Sequence, residues 1–161
     1  MARAVQDPRI KEWFVAFTDR TNTKFWYDPL IKPGFKHCYA FTYDKAAGVW
    51  LIFDPAIDSL VIRALSFKKA ERFLYSIKGQ DAVLEVKVPK EPQFLTRHFQ
   101  SCVTSIAHLV GVNILIPTPY RLFCALVKQG AEVSFLSRSI GDYHGQYHRE
   151  HYGGQTKSSG T

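Results

Sequence analysis

Residues 35–54 read FKHCYAFTYDKAAGVWLIFD, and how they pair decides the fold. Two runs rich in aromatic and β-branched residues, 35–43 and 49–54, flank the connection DKAAG at 44–48. Strand-forming runs joined by a short connection containing Gly predict an antiparallel hairpin. The first run also sets His37 directly beside Cys38. Side chains alternate between the two faces of a strand, so these neighbours are expected to point apart and not to share one metal ion.

Upstream, IKEWFVAFT (10–18) alternates imperfectly and predicts a first strand. DRTNTKFWYDPLIKPG (19–34) then reads as a long loop, the kind that in a compact domain tends to bind something. Its Phe25, Trp26 and Tyr27 fit the lip of a cleft that holds substrate, and equally an apolar plug over the sheet. Downstream, SLVIRAL (59–65) continues the sheet. FKKAERFLYSIK (67–78) has apolar residues at 70, 73, 74 and 77, the spacing of a helix face. DAVLEVKVP (81–89) alternates well and predicts another strand. In SCVTSIAHLVG, the residues Val103, Ile106, Ala107 and Val110 share a helical face that stops at Gly111. Thr118 as cap, Pro119 at the first helical position and Gly130 as closure predict a last helix.

These elements give an α+β class: an antiparallel sheet of about four to five strands packed against two or three helices. They form one domain over residues 1–140. Beyond it, GDYHGQYHREHYGGQTKSSGT (141–161) holds no aliphatic residue and reads as a polar Gly/His/Tyr-rich tail, flexible or docked on a partner. Hydrophobic residues make up 46% of the chain, which predicts a folded body. The net charge is +7, and the tail adds nothing to it, because Arg149 and Lys157 balance Asp142 and Glu150. A basic body attracts polyanions, which admits nucleic acid, an anionic cell-wall polymer or a membrane surface as neighbours. No tight Lys/Arg run and no nucleic-acid signature supports the first of these. No apolar run is long enough to span a membrane. MARAVQDPRIKEW lacks the apolar core of a signal peptide, so the expected location is cytoplasmic or virion-associated.

Cys38, Cys102 and Cys124 are too few and too widely spaced for a disulfide framework. His98 and Cys102 at i, i+4 lack the further ligands zinc needs, and His144, His148 and His151 lie in a segment with poor helix character. No metal and no cofactor is expected. A thiolate nucleophile needs a lowered pKa, and the start of a helix beside an imidazole supplies it. Cys102 follows Gln100 and Ser101 and falls in the first turn of its helix. Cys124 falls mid-helix, and Cys38 reads as packing. His37 on a strand is the candidate base, with His98 a second; His108, six residues after Cys102, reads as a surface or packing residue. Asp54, at the end of the second hairpin strand, is the candidate third member. With Tyr43 paired to Gly48, His37 and Asp54 fall opposite each other on one face, while a register one residue different turns them apart. Asp54 before Pro55 also reads as a plain strand end.

In the order His37, Asp54, Cys102, the chain resembles a circularly permuted papain-like cysteine hydrolase of the NlpC/P60 kind, over roughly residues 30–130. The Asp-Cys-Ser-Gly sequence of common members is replaced by Gln-Ser-Cys-Val-Thr. The resemblance implies a peptidase or amidase with Cys102 as nucleophile, His37 as base and Asp54 orienting the ring. Its substrate would be a peptide, peptidoglycan-like peptides of the cell wall included. In general look, SCVTSIAHLVGV with PTPYRLFCAL is also similar to small phage-encoded proteins. The alternative expectation is a non-catalytic structural or assembly protein, such as a virion component. It would dock to other protein subunits through Tyr143, His144, Tyr147 and His148 of its tail.

Overall fold

The computed structural model describes residues 11–19, 31–56, 59–78, 82–88 and 101–135. In chain order the elements are β1 (Glu12–Thr18), β2 (His37–Asp44), β3 (Val49–Pro55), β4 (Leu60–Leu65), α1 (Phe67–Ile77), β5 (Ala82–Lys87), α2 (Cys102–Val110), α3 (Pro119–Lys128) and β6 (Glu132–Phe135). The strands form one antiparallel sheet in the order β4-β3-β2-β1-β5-β6. The class is α+β, with more strands than the sequence predicted and with three helices. The strand that had no counterpart in the sequence reading is β6, which is four residues long and pairs with β5 at the sheet edge.

β1 is a central strand, and Val15, Ala16 and Phe17 are all fully buried. A strand covered on both faces has no solvent side to supply polar residues, which explains its imperfect alternation. The two faces of the sheet carry different cores. Phe17, Cys38, Ala40 and Leu84 face α2 and α3, where they meet Val103, Ile106, Phe123 and Leu126. Ala16, Tyr39, Phe41 and Ile52 belong to the opposite core, closed by Phe73 and Ile77 of α1. The predicted apolar stripe of α2, Val103, Ile106, Ala107 and Val110, is buried in full. Its stop at Gly111 is a left-handed residue with φ 72°, a conformation that costs glycine little.

The opening hairpin forms as its sequence predicts. Asp44 Oδ1 accepts the N–H groups of Ala46 and Ala47 at 2.9 and 3.1 Å, and Gly48 takes the positive φ of 66° that closes the turn. The register pairs Tyr43 with Trp50 and Asp44 with Val49. That differs by two residues from the alignment that sets His37 opposite Asp54. A two-residue shift preserves the face, so both side chains remain on one side as diagonal neighbours. Asp54 is also no strand terminator: it is paired within the sheet, against Val61 of β4.

The start of β2 is pinned from upstream. Gly34 (φ 85°) turns the chain, and the N–H of Lys36 donates to Thr18 O at 3.0 Å. Phe35, fully buried, packs edge-on against Phe123 and Tyr120 of α3, with 5.2 Å between ring centroids in each pair. A buried aromatic anchor two residues before His37 fixes where that imidazole enters the sheet.

Candidate active site

Three elements meet at one rim of the sheet. β1 ends there at Thr18, paired with His37, the first residue of β2. β3 brings Asp54 to the same rim. α2 begins there: Ser101 is its N-cap, and Cys102 is its first helical residue. The cap is a reciprocal box in which Ser101 Oγ accepts the Thr104 N–H at 3.2 Å and Thr104 Oγ1 accepts the Ser101 N–H at 2.9 Å. Cys102 therefore lies in the first turn, where the helix N-terminus favours negative charge. The capping box leaves the N–H groups of Cys102 and Val103 as the other donors of that turn.

His37 Nε2 lies 2.7 Å from Asp54 Oδ1, and the two side chains are 17% and 29% exposed. Cys102 lies near enough for its charge to act on the imidazole. Burial by itself pulls the imidazole pKa down, but the hydrogen bonds to Asp54 and Cys102 and their charges outweigh it and raise the value to about 9. The Cys102 thiol moves the other way, to about 4. Its strongest influence is a hydrogen bond from the Cys38 thiol; burial opposes the shift, and the hydrogen bond and charge of His37 add to it. Between these values the resting pair is thiolate and imidazolium, which is the reactive form of a cysteine nucleophile.

Beside His37 and Asp54, on the α1 side, opens a recess of about 200 Å³. Tyr39, Ile52, Phe73 and Ile77 give it apolar walls, and Thr18, Ser76 and Arg63 supply polar groups. One amino-acid side chain fits such a space.

Of the three residues the sequence reading selected for chemistry, His37 and Asp54 meet directly, and Cys102 stands at the α2 start where its charge acts on His37. Phe25, Trp26 and Tyr27 of the proposed lip lie outside the described residues. So do His98 and the tail residues Tyr143, His144, Tyr147, His148 and His151. His108 is exposed on α2, as its spacing from Cys102 predicts. Cys124 is partly buried and its thiol is pushed up by burial. Among the described residues no group of three or more metal-ligating side chains occurs, and no helix is long and apolar enough to cross a membrane.

One influence escaped the sequence reading. Cys38 is buried as predicted, yet its thiol, pushed up by burial first, is also influenced by Cys102. Strand alternation sends His37 and Cys38 to opposite faces, but both stand at the beginning of β2. Their position at the very beginning of the strand was the only available signal. Compared with protein-family models, with curated proteins and with solved structures, the chain matches none.

Proposed function

We propose that this protein is a cysteine hydrolase that cleaves peptide or amide bonds, with the strand and helix order of a permuted papain-like enzyme. The observation that carries this reading is an imidazole held by a carboxylate 2.7 Å away, with Cys102 at a helix start and its charge acting on that imidazole. With Nε2 engaged by Asp54, Nδ1 of His37 is left to exchange a proton with sulfur. The Cys102 thiolate attacks the carbonyl carbon, and the N–H groups of the first α2 turn receive the developing oxyanion. The imidazolium then protonates the leaving amine, which departs and leaves a thioester on Cys102. His37, now neutral, takes a proton from water as the water attacks the thioester. The acid product leaves and the thiolate–imidazolium pair is restored. Asp54 holds the ring orientation throughout and stabilises its charged form.

Cell-wall peptides are the first substrate class to test, because the +7 body favours an anionic polymer. Incubation with peptidoglycan fragments and with a peptide-amide library, read by mass spectrometry, is the experiment. The expected result is cleavage by the unaltered protein that vanishes in Cys102→Ala and falls by about 10²-fold or more in His37→Ala. Cleavage that survives Cys102→Ala, or no cleavage of any member of either set, would contradict the proposal.

A further inference from the structure

The recess beside His37 and Asp54 is apolar on its walls and carries one charge that nothing around it balances. Arg63 of β4 pairs directly with Ile52 of β3, and Asp54 follows Ile52 by two residues. Directly opposed residues share a face of the sheet, as do residues two apart on one strand. The register therefore sets Arg63 on the same face as Ile52 and Asp54, the face on which Phe73 and Ile77 of α1 pack. Tyr39, Ile52, Phe73 and Ile77 wall the space of about 200 Å³, and His37, Asp54 and Arg63 are its ionisable side chains able to carry charge at neutral pH. Asp54 Oδ1 is engaged by His37 Nε2 at 2.7 Å. With the ring protonated at neutral pH, as its raised value of about 9 provides, that pair is neutral as a unit. The Arg63 side chain is exposed and makes no ion pair among the described residues. Its guanidinium is the net charge of the recess.

We infer that this recess is a subsite for an acidic substrate side chain, with Arg63 as the residue that sets its specificity. The apolar walls take the methylenes of a glutamate-sized side chain, and the guanidinium takes its carboxylate through paired N–H donors. A side chain seated there leaves its own backbone next to His37, where the proposed hydrolysis needs the scissile bond. A basic side chain meets Arg63 as a like charge, and the one carboxylate that would welcome it is already engaged by the imidazole. A glutamine side chain fills the same space and forfeits the charge. The inference rests on the hydrolase reading above, but it is tested by binding, without turnover.

The test is the binding of acetyl-Ala-Glu-Ala-amide and of its Gln counterpart to the unaltered protein, Arg63→Gln and Arg63→Lys. It is followed by the proton NMR shifts of the His37 ring. Arg63 is exposed on an edge strand, where substitutions change stability little, so the variants are expected to fold. The Glu peptide should bind about three- to tenfold more tightly than the Gln peptide. Arg63→Gln should bring the two affinities together, and Arg63→Lys, which keeps the charge without the fork, should retain part of the preference. Equal binding of both peptides by the unaltered protein, or a Glu preference that survives Arg63→Gln, overturns the inference. Glutarate bound as tightly as the Glu peptide overturns the peptide side chain as the ligand and assigns the site to a free dicarboxylate. An Arg63-dependent Glu preference in a protein that hydrolyses nothing retains the acidic-ligand site and discards the hydrolase. Cys102-dependent cleavage without that preference does the reverse.

Discussion

At pH 5, alkylation of Cys102 by iodoacetamide is expected to run far ahead of that of an ordinary thiol, and His37→Ala to remove much of the lead. A thiol at the usual value of 9.0 is about one part in 10⁴ thiolate at pH 5, whereas Cys102, at about 4, is almost wholly thiolate. That population gain of roughly 10⁴ is offset by weaker intrinsic nucleophilicity. A Brønsted slope of about 0.4–0.5 across five pH units takes back roughly 10²–10²·⁵. The net advantage is about 30- to 100-fold at pH 5, and it reverses at about pH 6.5–7, because each pH unit ionises the ordinary thiol about tenfold further while Cys102 is already ionised. The assay mixes the protein with N-acetylcysteine as internal standard and follows labelling by peptide mass spectrometry from pH 3.5 to 9.5. The Cys102 rate should rise through a midpoint near 4, level off, and be overtaken by the standard near neutral pH. Cys38 and Cys124 should lag throughout, since burial raises both. His37→Ala deletes a hydrogen bond and a positive charge from the sulfur, so the midpoint moves up and labelling at pH 5 falls by about tenfold or more. A Cys102 midpoint between 8 and 9 that His37→Ala leaves in place would refute the reasoning.

Folding stability should depend on pH through the same pair. His37 is raised in the folded state from 6.5 to about 9, so its contribution is complete below 6.5 and is lost as pH rises through 9; Cys102 is lowered from 9.0 to about 4, so its contribution is complete above 9 and is lost as pH falls through 4. Between 6.5 and 9 the two slopes cancel, and below 6.5 only the cysteine slope remains. Stability should thus fall by about 3 kcal/mol from pH 6.5 to 4, two and a half pH units at ~1.36 kcal/mol each. Urea denaturation should find that part of the slope missing from the double variant His37→Ala, Cys102→Ala. Asp54→Asn, which removes the charge 2.7 Å from Nε2, should bring the His37 midpoint down in proton NMR and lower hydrolysis by about 10²-fold or more; an unmoved midpoint excludes the orienting role. Ser101→Ala breaks the capping box that positions Cys102 and should cost about 1 kcal/mol in urea denaturation.

Much of this site was legible because its members sit at features that sequence marks well. A serine cap before an apolar helical stripe located Cys102, and the hairpin located His37 and Asp54. The register was not legible, because apolar residues occupy both faces of β2, with Tyr39 and Phe41 on one and Cys38 and Ala40 on the other. With both faces apolar, pattern alone does not choose between alignments. β6 escaped for a related reason: Glu132, Val133 and Ser134 are exposed, so the strand carries little hydrophobic signal and is held by its pairing with β5. The influence of Cys102 on the Cys38 thiol was hidden by a rule that holds inside a strand and relaxes at its end. Alternation fixes which core a side chain enters but not what a helix terminus reaches around the rim.

The most direct test of Cys102 as a covalent catalyst is a burst experiment with p-nitrophenyl acetate at pH 6. Nitrophenol release should begin with a burst of one equivalent per protein chain, with the acetyl group found by peptide mass spectrometry on Cys102 and the burst abolished in Cys102→Ala. Release without a burst, or an acetyl group carried by any other residue, would contradict the assignment.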